Sequence, residues 1–409
     1  MKRLDKIYND YLILNTLKDL QPISIVTLAS MSGLSRPTVD TAVRQMENVG
    51  MVVQDGYAES DSGRKPILWK LNNDSGYFFG IDLEKPSVRV VALNVSKEVV
   101  FSATHTMTDF SSEVIIEKIR QSITECMIDH LKAGLDKVKS ISVGNPGDID
   151  RQSGTSIFLQ NCPEWKNVPI VSELQSIFDC PVYLENIILF MANSERDKME
   201  DAGKEDFVYI ALKTGVGAGV CIDGELYSGY KGNAGHLGHL PVMSPSAKRG
   251  KRLEECAGDF MILKRMKEYK LLENYSNGSD SVTKKELDIL TDEAARENLD
   301  ALRILEEIAD YWAYAIATVI CHLDISQFIL GGMISYVNQR SDRVGQFFLD
   351  SVRKNCIEKY LFTEVPAFKL RYSDYDDYAA ALGGALYGYE NYFHQVIKVG
   401  EKSIAINVS

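Results

Sequence analysis

Ser32-Gly33-Leu34-Ser35-Arg36-Pro37-Thr38-Val39-Asp40-Thr41-Ala42-Val43-Arg44 reads as a tight turn running into a helix. Ser35 is placed to accept a hydrogen bond from the otherwise unpaired N–H groups of the first turn, and Pro37 falls where a missing donor costs nothing. The helix is predicted from Arg36 to about Val49, with Gly50 ending it. Val39, Val43 and Met46 share one face, which leaves Arg36, Thr38, Asp40, Thr41 and Arg44 outward. Upstream, Leu4, Ile7, Tyr8, Tyr11, Leu12, Leu14 and Leu17 recur at helical spacing up to Gln21-Pro22, and a second helix is predicted over about 23–31. Downstream, Met51-Val52-Val53 opens a strand, Asp55-Gly56 reads as a turn, and Ser62-Gly63-Arg64-Lys65-Pro66 is a basic tip before a second strand, Ile67 to Leu71. Three helices and a hairpin predict a winged helix-turn-helix over residues 1–73.

A recognition helix presents its N-terminal end to base edges and phosphates in the major groove. The candidate contacts with double-stranded DNA are therefore Ser35, Arg36, Thr38, Asp40, Thr41 and Arg44, with Arg64 and Lys65 of the wing suited to the backbone or minor groove. Charge distribution agrees. The whole chain of 409 residues carries −12, but residues 1–71 hold nine Lys/Arg against eight Asp/Glu, leaving 36 against 49 in the remainder. An acidic body behind a near-neutral head keeps a polyanion on one face.

Composition excludes other classes. No stretch approaches the roughly 18 apolar residues of a membrane span, and Met1-Lys2-Arg3-Leu4-Asp5 has no signal core, so a soluble cytoplasmic protein is expected. The seven cysteines are scattered and never form C-x-x-C, which predicts buried thiols rather than a disulfide framework or zinc knuckle.

From Gly76 short apolar strands alternate with amphipathic helices: strands Tyr77 to Leu83, Val88 to Val95 and Val99 to His105, a helix over about 112–134, then Ser140 to Val143. A second strand-turn-strand series opens at Phe207 to Leu212 and Gly217 to Ile222, which predicts two related α/β lobes. Residues 273–285 read as an exposed loop, and Ile397, Val399, Ile404, Ile406 and Val408, spaced two apart in places, as a C-terminal strand.

Gly33 to Val39 and Ser62 to Pro66 resemble the N-terminal domain of the ROK family (repressor, open reading frame, kinase), specifically its NagC/XylR-type regulators. The resemblance runs from about residue 4 to about 390. It includes Gly144-Asn145-Pro146-Gly147-Asp148, Asn161-Cys162-Pro163-Glu164-Trp165, the glycine turn Thr214-Gly215-Val216-Gly217-Ala218-Gly219, the sugar loop Gly232-Asn233-Ala234-Gly235-His236-Leu237-Gly238-His239, and Leu330-Gly331-Gly332. It implies a two-lobed actin/hexokinase-like (ribonuclease H-like) fold. A small lobe would span 74–195, completed by a C-terminal helix at about 376–395, and a large lobe for ligand and oligomerisation would span 196–375.

The resemblance also shows what is missing. The family's catalytic Asp follows a Glu-Asn pair, and Glu185-Asn186-Ile187 puts Ile187 there, which cannot accept a proton. The first phosphate hairpin, Asp-x-Gly-Gly-Thr in the family, stands as Asp82-Leu83-Glu84-Lys85-Pro86, so ATP is not expected. Aligned on Leu253-Glu254, the family's zinc cysteines fall on Pro245, Ala247 and Arg252, so no zinc is expected, and Lys248, Arg249, Lys251 and Arg252 form a basic loop. The sugar-binding positions carried over are Asn161, Asn186, His236, His239 and Glu254, with His236 in place of a Glu. The resulting expectation is a sugar-responsive transcriptional regulator, most simply a repressor, with a catalytically inactive sensor in a homodimer or homotetramer. The ligand would close the lobes and re-space two DNA-binding domains. The alternatives are an active sugar kinase bearing a DNA-binding domain and a ligand-independent repressor.

Overall fold

In the computed structural model the described residues are 9, 12–14, 16–48, 50–59, 65–199, 205–213, 215–230, 232–242, 250–273, 282–361, 368–375 and 377–405, with side chains described up to 393. The chain divides into two compact units, Met1–Glu185 with Gly384–Ser409, and Asn186–Gly383.

The first unit begins with helical residues 12–14 and 16–20, followed by β1 (Ile23–Ser24), α1 (Ile25–Ser32), α2 (Arg36–Asn48), β2 (Val52–Tyr57) and β3 (Ile67–Leu71). The elements come in the order that a winged helix-turn-helix requires. Leu28 and Ala29 of α1 are buried, as are Val39, Ala42, Val43 and Met46 of α2, and Trp69 of β3 is fully enclosed. The three strands pair in the order β1-β3-β2. Asp55-Gly56 is not a turn: both lie inside β2, where the register against β3 shifts between Gln54 and Tyr57, and Gly56 has φ +82°. A bulge takes the same positive-φ residue that a turn would. Gly63 and Arg64 of the wing tip lie outside the described residues.

Gln21 ties this head to the sheet behind it. Its Oε1 accepts from Leu71 N–H at 2.6 Å and its Nε2 donates to Ser96 Oγ at 3.2 Å. That sheet is built from β4 (Tyr77–Asp82), β5 (Ser87–Leu93), β6 (Val99–Thr106), β7 (Val138–Asn145) and β11 (Val182–Asn186), in the order β11-β7-β4-β5-β6. β4 runs antiparallel to β5 and parallel to β7. Its core holds Phe79, Ile81, Val90 and Ile141 beneath Ile115, Ile119 and Ile123 of α3 (Ser112–Thr124), the start of the helix predicted over 112–134, which passes into a π-helical turn at Glu125–His130. A smaller sheet, β8 (Ile149–Asp150), β9 (Thr155–Leu159) and β10 (Cys162–Val168), precedes α4 (Ile170–Ile177).

The second unit opens with α5 (Ile187–Lys198) and holds β12 (Phe207–Leu212), β13 (Val216–Ile222), β14 (Glu225–Tyr227), β17 (Gln327–Gly332) and β18 (Lys369–Tyr372), in the order β14-β13-β12-β17-β18. Between them come the short pair β15 (Pro241–Val242) and β16 (Lys251–Arg252), then α6 (Leu253–Ala257), α7 (Asp259–Glu268), α8 (Lys284–Ala295) and α9 (Leu299–Leu323). α10 (Met333–Arg340) and α11 (Asp342–Asn355) follow β17. The long amphipathic α9 buries Ile304, Ile308, Trp312 and Ile316, with Trp312 edge-on to Phe348 of α11 at 6.1 Å. Part of the predicted loop at 273–285 is helical: Thr283 caps α8, and residues 274–281 lie outside the described set.

The predicted C-terminal strand is a helix instead, α12 (Ala379–Ala405), with 406–409 outside the described residues. Two-apart apolar residues are also compatible with a helix where the intervening positions are not uniformly polar. The described cysteines are free and five of the seven are buried. Among the described residues no helix is long and apolar enough to cross a membrane.

Candidate functional site

Six of the candidate DNA contacts lie between the cap of α2 at Ser35 and Arg44. Ser35 Oγ accepts from Thr38 N–H at 3.3 Å, and the two hydroxyls lie 2.7 Å apart, so the cap expected from sequence is formed. Thr41 Oγ1 donates to Pro37 O at 2.9 Å, folding that hydroxyl back on the helix. Arg44 Nε lies 3.2 Å from Asp40 Oδ2, an exposed pair one turn apart. Arg36, Thr41 and Arg44 are exposed, Thr38 and Asp40 half-buried, and Lys65 is exposed at the edge of the wing.

The sugar-binding candidates divide between the units. Asn161, in the first, is an exposed turn residue at φ +60° between β9 and β10. Its loop is pinned from below. Trp165 Nε1 donates to Ser156 Oγ at 2.7 Å, Ser156 donates to Asn145 Oδ1 at 2.6 Å, and Asn145 Nδ2 donates to Phe158 O at 3.2 Å, all four residues being tied into one interior network. Lys85 Nζ donates to Asn161 O at 3.3 Å. The altered phosphate hairpin is neutralised within itself: Arg89 Nη1 lies 3.1 Å from buried Asp82 Oδ2 and 3.7 Å from Glu84 Oε2. Sequence reading missed Arg89, whose place opposite Asp82 follows from strand register.

In the second unit, Asn186 caps α5, its Oδ1 accepting from Ile188 N–H at 2.9 Å. Ile187 is 2% exposed and packs in an apolar cluster with Met191, Ala192, Tyr209 and Ile329. Gly217 and Gly219, from the glycine turn of the family resemblance, lie within β13, and a side chain at Gly219 would stand 2.5 Å from Ala192 Cβ of α5. Close helix-on-strand packing accounts for them. Thr214 is outside the described residues.

The loop before β15 holds the remaining candidates together. Gly235 has φ +86°, and a Cβ there would lie 1.8 Å from Ala218 O; the backbone of Gly235 is bonded directly to β13, Ala218 N–H donating to its carbonyl at 2.7 Å. Only glycine satisfies both demands. The chain then makes a single 3-10 turn, Leu237–His239, which sets the His236 and His239 rings edge to face with centroids 5.4 Å apart. His239 Nε2 is 3.8 Å from Glu254 Oε1, and Arg252 Nη1 is 2.8 Å from the same oxygen. Gly238 packs on this carboxylate, since a Cβ at that position would come within 2.9 Å of Glu254 Oε2. Thus His236, His239 and Glu254 are brought together, and Arg252, which sequence reading placed at a vacated zinc position in a basic loop, joins them. Positions 245 and 247 of the zinc pattern lie outside the described residues.

A ROK family model matches residues 79–388. The chain belongs to the ROK family. Among ROK relatives, a xylose repressor from Caldicellulosiruptor bescii is 26% identical over 92% of this chain and 94% of its own length. A glucokinase from Thermotoga maritima is 27% identical over 75% of this chain and 95% of its own. A solved ROK family transcriptional regulator, a homologue of the E. coli MLC protein, superposes with TM-score 0.77 at 19% identity, covering 97% of this chain and 99% of its own; it supports the fold. The glucokinase match covers three quarters of the chain, whereas the xylose repressor match covers nearly all of it.

Proposed function

We propose that this chain is a sugar-responsive DNA-binding repressor whose kinase-like sensor binds its ligand without phosphorylating it. The observation that carries the reading is Ile187. At the head of α5, where the family resemblance places a carboxylate base, a hydrocarbon side chain is packed into the core and offers no proton acceptor. The end-to-end match to a xylose repressor supports the same reading, as does the capped polar face of α2.

Neither ATP nor zinc fits the residues present. Glu84 in the first hairpin is drawn to Arg89, and Arg252, at a position where the zinc pattern needs a thiolate, is a cation paired with Glu254. The partners in this reading are operator DNA and a sugar or sugar derivative, in a cytoplasmic homodimer or homotetramer. The ligand acts by binding one conformation better than another; about 100-fold differential affinity, or roughly 3 kcal/mol, moves the equilibrium by that factor.

The test is a fluorescence titration of labelled upstream DNA with and without each sugar of a panel, beside a coupled ATP-consumption assay on the same panel. A ligand that shifts DNA affinity, with no turnover, is the expected result. Turnover above background with any sugar would establish the kinase reading that the glucokinase likeness leaves as the rival. A full panel that changes neither melting temperature nor DNA affinity would establish a ligand-independent repressor.

A further inference from the structure

We propose that the effector is an anionic sugar, one bearing a carboxylate or phosphate, and that His236, His239 and Arg252 hold its charged end. The proposal rests on the sugar-sensing reading and names the ligand class of that same loop.

The argument is one of acceptors and charges. A neutral sugar presents hydroxyls, and a site for it needs acceptors aimed at them. Among the described residues, the Glu254 carboxylate lies against this loop; its side chain is three-quarters buried and already engaged, by Arg252 at 2.8 Å and His239 at 3.8 Å on the same oxygen, while its other oxygen backs onto Gly238. Glu255 is likewise occupied: its Oε2 accepts from the Arg252 backbone N–H at 2.7 Å, and its Oε1 is 3.9 Å from Arg252 Nη2.

Around these stand groups that mainly donate. A guanidinium has five N–H donors and no acceptor, so two carboxylate contacts leave much of the Arg252 fork uncommitted. The side chains of His239 and Arg252 are 57% and 52% exposed, so they are open to solvent and to a ligand. Lys251 adds an exposed positive charge at the preceding position of β16. The scaffold is fixed rather than adaptable, because Gly235 is bonded to β13, and Leu253 N–H donates to Leu240 O at 2.8 Å, closing the loop at its far end. Imidazoles and a planar guanidinium fixed on such a loop suit a carboxylate or phosphate, which the guanidinium can grip with paired N–H bonds.

Isothermal titration of the full chain decides the matter, using matched sets for glucose, xylose and N-acetylglucosamine: the neutral sugar, its terminal phosphate ester and, for glucose and xylose, the sugar acid, with inorganic phosphate alone beside them. One anionic member is expected to bind at least tenfold tighter than its neutral parent, and the phosphate and acid arms identify which anion. In Arg252→Gln and His236→Gln the preference should fall below threefold, and in Arg252→Lys, which keeps the charge, it should largely persist; circular dichroism checks that each variant is folded. A neutral parent that binds as tightly as its anionic partners overturns the anionic class and leaves sugar sensing standing. Inorganic phosphate that binds as tightly as the esters, or a preference untouched by the substitutions, also overturns the proposal. If no member of any set binds, the sensing reading itself falls.

Discussion

Burial raises the Asp259 carboxyl to about 6, well above its unfolded value near 3.8, because α7 begins inside the second unit and takes that side chain with it. Its Oδ1 accepts from the Phe260 N–H at 2.7 Å, while Oδ2 has no hydrogen-bond partner among the described residues. The folded chain therefore keeps this proton to a higher pH than the unfolded chain does. Stability from this group is greatest below pH 3.8, falls as pH rises towards 6, and is level above. Asp259→Asn should consequently stabilise the protein at pH 7.5 by about 2–3 kcal/mol and be nearly neutral at pH 3.5, as urea unfolding at the two pH values would show. Ile187 is the converse case. Ile187→Asp would set a carboxyl among Met191, Tyr209 and Ile329, so the expected outcome is a loss of about 3 kcal/mol or more with no phosphotransfer gained, read by thermal melting and an ATP-consumption assay.

α2 is held at its start by one serine hydroxyl, and the loop before β15 by one glycine. Ser35→Ala removes the cap and should cost about 1 kcal/mol while weakening DNA binding, since the helix start is the part expected to meet DNA. Gly235→Ala should be harsher for ligand than for fold: the loop must leave β13, so sugar binding is expected to be lost while the melting temperature drops only modestly, both measurable in one thermal-shift series. The elements were largely legible because their buried stripes are periodic, as Val39, Val43 and Met46 of α2 or Ile115, Ile119 and Ile123 of α3 illustrate. Asp55-Gly56 misled because bulge and turn place the same demand on a glycine. In the loop before β15 the residue types were legible, but the pairing of Arg252 with Glu254 was not. That contact depends on β16 delivering a side chain across the start of α6, and no periodicity within one segment encodes it.

Over the whole chain, charge is apportioned so that the head is close to neutral while the rest carries the acidity. DNA affinity must then come from a few well-placed cations. It should fall with salt along a log-log slope of about −0.9 per phosphate contacted, and Lys65→Ala should flatten that slope by about one, in titrations between low and physiological ionic strength. The long terminal helix bears on inheritance as well as folding. α12 starts at Ala379, within the second unit, and from Gly384 belongs to the first, where Gly388 lies against Ser140 and Ser142 and Tyr389 packs on Phe78 at 4.9 Å. The unit that holds residues 1–185 is therefore unfinished until synthesis has passed Gly384. A nonsense mutation anywhere between codons 186 and 383 should not release an unregulated DNA-binding fragment that silences its targets permanently; it should leave an incomplete core fit for degradation, and such alleles should be recessive.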